Sequence, residues 1–395
     1  MMSVGLTEAE LAAIDQPVAT AAALPNRAYM NDDFFAFERE QLFAKTWVCI
    51  GTGASIPNRG DVRPVSWLGA PLVMARDHED GIVVFHNVCR HRGNELVWGP
   101  GNAGGAIRCP YHSWTYGFDG ELRATPHVGG VGIHHLDSID KANCGLVGAR
   151  SAVWLDQVFV NISGDAPSFE AFAAPLQARI DRLASTEDMA RLKPDSELGA
   201  FAMPFAANWK LCLENNLEAY HLPWVHPELC AQSPLENHEQ FLGDNFAGQI
   251  TLDYDHSSIT GDAFSTVATW PGRSAEYPTL YPNLFLGLQC DHFWTRIITP
   301  VTVSETIDSL QIYYFDDNAS DPKLGEVRAQ RTAAWKQVFT EDQGVVEGMQ
   351  RGRHSPAFDG GRFSEVMDAP SHHFAQWAAR RLADPAGTQR VSLRV

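Results

Sequence analysis

The sequence predicts an α+β chain of two domains, one all-β and one made of a sheet with long helices after it. Three observations predict this. Between about Trp47 and Ile162, short strand-like runs are separated by turn residues. Beyond the Gly164-Asp165-Ala166-Pro167 break the apolar spacing becomes helical. Strand-like segments between about 246 and 316 then give way to a helical stretch from about Leu324 to Leu382. At 395 residues the chain is too long for one small core.

Taken in order, residues 1–44 read as two amphipathic helical pieces, EAELAAI and DDFFAFEREQLFAKTW, separated by Pro17 and Pro25. They are expected to pack on the second domain. The all-β domain is expected over 45–163. Its runs VSWLGAPLVMARD, GIVVFHNV, AIRC and SWTYGF are strand-like, and Asp80-Gly81 and Asp119-Gly120 mark hairpins. The second domain is expected over 164–395. It opens with the helical SFEAFAAPLQARIDRLA, and FAGQITLDY, TRIITPVTV and DSLQIYYF read as strands of a mixed sheet.

Hydrophobic residues make up 45% and charged residues 20%, the balance of a soluble globular protein. There is no apolar run long enough for a bilayer and no basic region before an apolar stretch at the start. The expectation is a cytoplasmic protein with no membrane partner. A net charge of −18 without any basic stripe argues against nucleic acid. Seven scattered cysteines do not suggest a disulfide framework.

Four of the side chains that carry chemistry lie in the β domain. Cys89-Arg-His91 is followed, after 17 intervening residues, by Cys109-Pro-Tyr-His112. Each pair follows a strand-like run, so two loops would each present a thiolate and an imidazole. Two Cys on one iron and two His on the other form the ligand set of a Rieske [2Fe–2S] centre. Zinc also takes Cys2His2, but zinc fingers open with paired cysteines and close with paired histidines.

A second group lies in Asn208–Leu229, NWKLCLENNLEAYHLPWVHPEL. Glu218 and His221 are spaced to share one helical face. His226 lies roughly 140° further round an ideal helix. Pro223 is expected to break that helix and let both imidazoles reach one metal. Two imidazoles and a carboxylate are the donors of a facial triad for ferrous iron. The carboxylate is sought on another element. Thr340-Glu341-Asp342-Gln343 reads as a capping box opening a helix through VVEGMQRG, and spacing alone does not separate Glu341 from Asp342.

With these residues in view, the chain resembles the large subunit of a Rieske non-haem iron oxygenase over nearly its whole length. NVCRHRG and CPYHSWTYGFDG carry the likeness in the first half, and NWK, EN, EAYH and HPEL in the second. The resemblance implies a Rieske [2Fe–2S] domain and a helix-grip catalytic domain holding mononuclear Fe(II). FTEDQGVVEGMQRG resembles the segment with the ligand aspartate, which selects Asp342 to join His221 and His226. Glu218 stands where the family has an acid, usually Asp, bridging a Rieske histidine to an iron histidine.

The resemblance further implies a head-to-tail homotrimer in which His112 of one chain faces Glu218 and His221 of the next. It implies O2 as co-substrate and a separate NAD(P)H-dependent flavin and iron–sulfur reductase, in keeping with the missing dinucleotide fingerprint. Glutamate at 218 resembles the branch that oxidises carnitine, glycine betaine and proline betaine by N-demethylation or C–N cleavage. The alternative is an aromatic-ring hydroxylating oxygenase or an aromatic O-demethylase. Tyr281, Phe285, Phe293 and Trp294 are the candidate pocket residues, since an aromatic cage suits a trimethylammonium head.

Overall fold

A computed structural model describes residues 4–255 and 263–383, so the last residues of the expected second domain, 384–395, lie outside the described residues. The chain forms two compact units, one from residues 45–166 and the other from the described residues before and after it.

In the smaller unit every element is short. The strands are β1 (Val48–Thr52), β2 (Asp61–Trp67), β3 (Ala70–Arg76), β4 (Ile82–His86) and β5 (Gly101–Asn102). They continue with β6 (Ile107–Arg108), β7 (Thr115–Tyr116), β8 (Leu122–Ala124), β9 (Arg150–Trp154) and β10 (Gln157–Asn161). Three sheets result, ordered β4-β3-β2-β5, β6-β7-β8 and β1-β10-β9. The run VSWLGAPLVMARD is a hairpin rather than one strand. Leu68 and Gly69, at φ 49° and 85°, form its two-residue turn, whose twist suits paired strands. Val62, Val73, Phe85, Trp114, Tyr116 and Leu122 pack around the buried Cys89 and Cys109.

The larger unit has one sheet of eight strands. These are β11 (Leu192–Pro194), β12 (Ala200–Phe205), β13 (His238–Leu242), β14 (Phe246–Thr251), β15 (Ala275–Leu280), β16 (Leu284–Leu288), β17 (His292–Thr302) and β18 (Glu305–Phe315). The order is β11-β18-β17-β16-β15-β14-β13, with β12 also on β18. All its pairings are antiparallel, so the expected mixed sheet is corrected. Short connections such as that between β17 and β18 allow only this direction.

The helix Gly325–Gly352 buries Arg328, Arg331, Trp335, Phe339, Asp342, Val346 and Gln350. Their spacing of three or four makes a single inward stripe. The expected capping box is therefore wrong. Thr340 is inside this helix, where its Oγ1 donates to the Lys336 carbonyl at 2.7 Å. A hydroxyl bonded one turn back needs no helix start.

The N-terminal segment belongs to the larger unit. It contains helices Glu8–Ile14, Arg27–Met30 and Asp32–Glu38, then a wider turn over Arg39–Phe43 that buries Leu42 and Phe43. Glu38 Oε1 pairs with Lys210 Nζ at 2.5 Å, and both side chains are fully buried. Trp209 Nε1 donates to the other Glu38 oxygen at 3.2 Å. Removing one partner of a buried ion pair leaves an uncompensated charge, whereas removing both leaves an apolar gap. Lys210→Met is thus expected to cost about 3–5 kcal/mol in urea unfolding. Adding Glu38→Leu should recover most of that loss.

Candidate metal centres and cavity

The two motif loops of the smaller unit are built alike. Cys89 N donates to Asn94 O and Gly93 N to Cys89 O; Cys109 N donates to Trp114 O and Ser113 N to Cys109 O. Gly93 and Ser113, four residues after each cysteine, take left-handed φ values of 72° and 58° that fold each loop back. The His91 ring stacks on Trp114 with centroids 4.7 Å apart and meets the His112 ring edge-on at 4.8 Å. The Tyr116 oxygen accepts from Arg90 N at 3.0 Å and lies 3.2 Å from Cys89 Sγ. Once that sulfur is a thiolate it has no proton to give, and the tyrosine hydroxyl is the donor of the pair. Burial pushes the Cys89 thiol pKa up, against the pull of that hydroxyl.

His112 Nδ1 is buried without a hydrogen-bond partner among the described residues. A buried ring nitrogen is rarely left so. The two thiols, two imidazoles and this orphan nitrogen fit a [2Fe–2S] group held by two Cys and two His.

The segment 208–229 differs from the broken helix expected. Helix Trp209–Asn216 ends before Glu218, which lies in the connection to the next helix. Glu218 and His221 therefore share no helical face. Pro223 sits in the first turn of a separate short helix, Leu222–Val225, where a missing N–H costs nothing. His226 then joins that helix to Pro227–Gln232, with φ −125° and ψ 61°. Glu218 closes the turn, its Oε2 accepting from Tyr220 N and from His221 N at 3.2 Å. Its Oε1 meets His221 Nδ1 at 2.6 Å.

The structure brings His221, His226 and Asp342 together, with one donor atom from each within 4.8 Å of the others. His226 Nε2 lies 2.9 Å from Asp342 Oδ1, and His221 Nε2 lies 3.7 Å from the same oxygen. Glu341 points elsewhere, its Oε2 on His226 Nδ1 at 2.8 Å. Each imidazole thus has a glutamate on Nδ1 and turns Nε2 toward Asp342. Burial is the largest single influence on both His226 and Asp342 and disfavours charge on each, but the hydrogen bonds and opposite charges around them together outweigh it. The His226 pKa is raised and the Asp342 pKa lowered. Two imidazole nitrogens and one carboxylate converging on a shared point fit a ferrous ion with open positions.

A cavity of about 60 Å³ opens on these three side chains. It has room for only a small ligand, since one water needs about 10–15 Å³ on this scale. Tyr277, Trp294, Trp335 and Phe339 are its aromatic lining. Trp294 and Trp335 meet edge-on at 5.3 Å, while Trp335 and Phe339 stack at 5.7 Å. Trp294 lies over Gly287, its partner across the β16–β17 pairing. A Cβ on Gly287 would stand 2.0 Å from Trp294 Cε2, so only glycine leaves the indole that place. Arg296 also lines the cavity, but its Nε donates to Asp308 Oδ2 at 2.8 Å and its guanidinium lies 3.9 Å from the Phe339 ring centre.

Of the four expected pocket residues, only Trp294 lines this cavity. Phe293 faces the opposite side of β17 and packs on Trp270 and Phe315, as strand alternation requires. Tyr281 packs against Phe374 and Trp377 of the helix Ala369–Arg381. Phe285 is buried beneath the guanidinium of Arg296, its partner across the β16–β17 pairing. Sequence reasoning missed Tyr277, Trp335 and Phe339. The spacing of Trp335, Phe339 and Asp342 was the available signal.

A thiolate–imidazole cluster site in one unit and a His-His-Asp site in the other define a Rieske non-haem iron oxygenase, an oxidoreductase. The chain belongs to the ring hydroxylating alpha subunit family, whose catalytic domain matches residues 186–384. The Rieske [2Fe-2S] domain matches residues 46–136, which settles the cluster against zinc. The carnitine monooxygenase oxygenase subunit of Acinetobacter pittii is 28% identical over 354 residues, covering 86% of this chain and 87% of that one. The glycine betaine monooxygenase oxygenase subunit of Pseudomonas aeruginosa (strain PAO1) is 24% identical, covering 94% and 92%. A quaternary ammonium Rieske monooxygenase solved with L-carnitine superposes with a TM-score of 0.79 at 23% identity, covering 94% and 99%. That likeness shows the fold.

Two predictions follow from the geometry. Tyr116→Phe deletes the hydrogen bond to Cys89 Sγ and, with a [2Fe–2S] cluster on that sulfur, should move the reduction potential to a more negative value, measured by redox titration followed by EPR. Gly287→Ala forces the Trp294 ring off the strand. Overpacking of this kind should cost about 1–3 kcal/mol, read from thermal or urea unfolding.

Proposed function

We propose that this chain is the terminal oxygenase component of a monooxygenase acting on a small N-methylated quaternary ammonium compound of the betaine type. The observation that carries the reading is the wall of four aromatic rings facing the His221, His226 and Asp342 centre. A trimethylammonium head offers no N–H to a hydrogen-bond acceptor and is recognised by ring faces. Carnitine and glycine betaine, for which the relatives are named, both carry that head. Glu218 in place of the family's more usual aspartate supports the same branch.

In this reading Cys89, His91, Cys109 and His112 hold the [2Fe–2S] cluster, and His221, His226 and Asp342 hold the Fe(II). When bound, these groups supply single-electron transfer and dioxygen activation. The remaining work falls to the chain's own side chains. Glu218 and Glu341 each accept the Nδ1 proton of one histidine, which fixes the tautomer and leaves the Nε2 lone pair for the metal. Glu341 is thus a partner of His226 rather than a ligand. The aromatic walls hold the cation and keep water from the reacting carbon.

Glu218 also serves as the bridge to His112 of a neighbouring chain in a head-to-tail homotrimer. Tyr220 and Trp224 beside it are 52% and 80% exposed, and exposed aromatic rings suit an interface. Electrons come from NAD(P)H through a separate flavin and iron–sulfur reductase. None of the seven cysteines is in a disulfide, in keeping with the cytoplasm, and among the described residues no helix is long and apolar enough to cross a membrane.

The overall reaction balances simply. An N-methyl group, O2, two electrons and two protons give an N-hydroxymethyl group and water. The N-hydroxymethyl compound then releases formaldehyde, a proton and a tertiary amine. Oxidation at the other carbon on nitrogen releases trimethylamine and leaves an aldehyde.

The test is a single turnover of dithionite-reduced protein with O2 and glycine betaine, carnitine or benzoate, followed by mass spectrometry. Formaldehyde or trimethylamine from a betaine is expected. A phenol or cis-diol from benzoate, with no amine product from either betaine, would overturn the reading in favour of ring hydroxylation. Glu218→Gln should keep both metals yet abolish coupled turnover, while Glu218→Asp keeps part of it. Full activity in Glu218→Gln removes the bridge. Glu341→Ala should lower Fe(II) affinity about 10–100-fold, measured by metal titration.

A further inference from the structure

Behind the cavity, four buried side chains form a line of hydrogen bonds that ends on one of its walls. Arg331 Nη2 donates to Asp291 Oδ2 at 2.9 Å. Asp291 Oδ1 lies 2.7 Å from His292 Nδ1, and Trp335 Nε1 donates to His292 Nε2 at 2.8 Å. None of the four is more than 4% exposed.

The line has one direction. An indole N–H can only donate, so His292 Nε2 must be the bare acceptor. The ring proton is then on Nδ1 and goes to Asp291, whose other oxygen takes the guanidinium. An Asp–His pair near an active-site cavity invites an acid–base role. Here that role is closed, because Nε2 is already used by Trp335 and His292 is not among the residues lining the cavity.

We propose that His292, held by Asp291 and Arg331, is a positioning residue for substrate: it fixes the orientation of the Trp335 indole, which forms part of the cavity wall. Trp335 touches both Trp294 and Phe339, so its ring plane sets the shape offered to a cation. Without the acceptor, a buried indole N–H is left unsatisfied and the ring turns to find another partner. The binding consequence rests on the quaternary ammonium reading above; the ring orientation does not.

The experiment compares His292→Leu, His292→Gln and Trp335→Phe. Each is crystallised with its metals, and tetramethylammonium binding is measured by calorimetry. His292→Leu should show the Trp335 indole in a new rotamer and weaken binding about tenfold. His292→Gln restores an acceptor and should hold both ring and affinity near those of the parent protein. Trp335→Phe keeps an aromatic ring without the donor and should weaken binding as His292→Leu does, with no further loss when the two are combined. An unmoved indole in His292→Leu, or equal loss in the Gln and Leu variants, overturns the proposal. If His292→Leu does not fold, parent-like affinity in Trp335→Phe overturns it instead. A parent protein that does not bind tetramethylammonium at all removes the cation reading, and the Trp335 rotamer then decides the positioning role alone.

Discussion

The register of the helix Gly325–Gly352 on strand β17 decides where every part of the candidate iron site can be. Arg331 reaches Asp291, Trp335 reaches His292 and Trp294, and Phe339 reaches Trp294 and Arg296. Four helical residues advance about 6 Å, and two strand residues advance about 6.8 Å. The two repeats therefore stay in step over this short span. The next inward helical position is Asp342, which arrives beside His221 and His226. Sliding the helix by one turn would carry that carboxylate about 5.4 Å away from both imidazoles.

Buried charge is what forbids such a slide. Arg328 donates to Asp195 and Arg331 to Asp291, all of them buried and both arginines on the inward stripe. Pairs like these add little net stability over apolar residues of the same size. Their effect lies in the penalty for misalignment, since any other register buries several charges without partners. The helix thus carries its own alignment marks on the face that also carries the carboxylate. Arg296 and Asp308 do the same beneath the cavity. Burial pushes the Asp308 pKa up, and the Arg296 guanidinium opposes it.

This arrangement also explains what could be read in the sequence. The Rieske loops were legible because each places its Cys and His two or three residues apart, and only local turns are needed to present them. The nearness of His221 and His226 was legible for the same reason, although the backbone around Pro223 was not. Asp342 was accessible only through family resemblance. Its helix has an inward stripe interrupted by Arg328, Arg331 and Gln350, so apolar periodicity fails where distant partners take over. A local signal at Thr340-Glu341 then looked like a helix start. For the strands, an aromatic residue does not show which face it occupies. Once Trp294 is known to face the cavity, alternation alone excludes Phe293, and Tyr277 follows from cross-strand pairing that no local pattern reveals.

Glu218 shows how closely folding and function are joined here. One of its oxygens accepts backbone N–H groups and closes the turn after helix Trp209–Asn216; the other holds the His221 ring. The interaction that shapes the chain before His221 is thus the same one that aims its imidazole. A change at Glu218 acts on backbone and ring together, so a lost activity there mixes two causes. Glu341 is free of that ambiguity. It lies inside a helix that forms without it, and its contact with the site is the His226 ring nitrogen. The two glutamates do the same chemical work on their histidines, but only Glu341 does it without also building the local fold. Comparing them therefore separates what orienting an imidazole contributes from what the turn contributes.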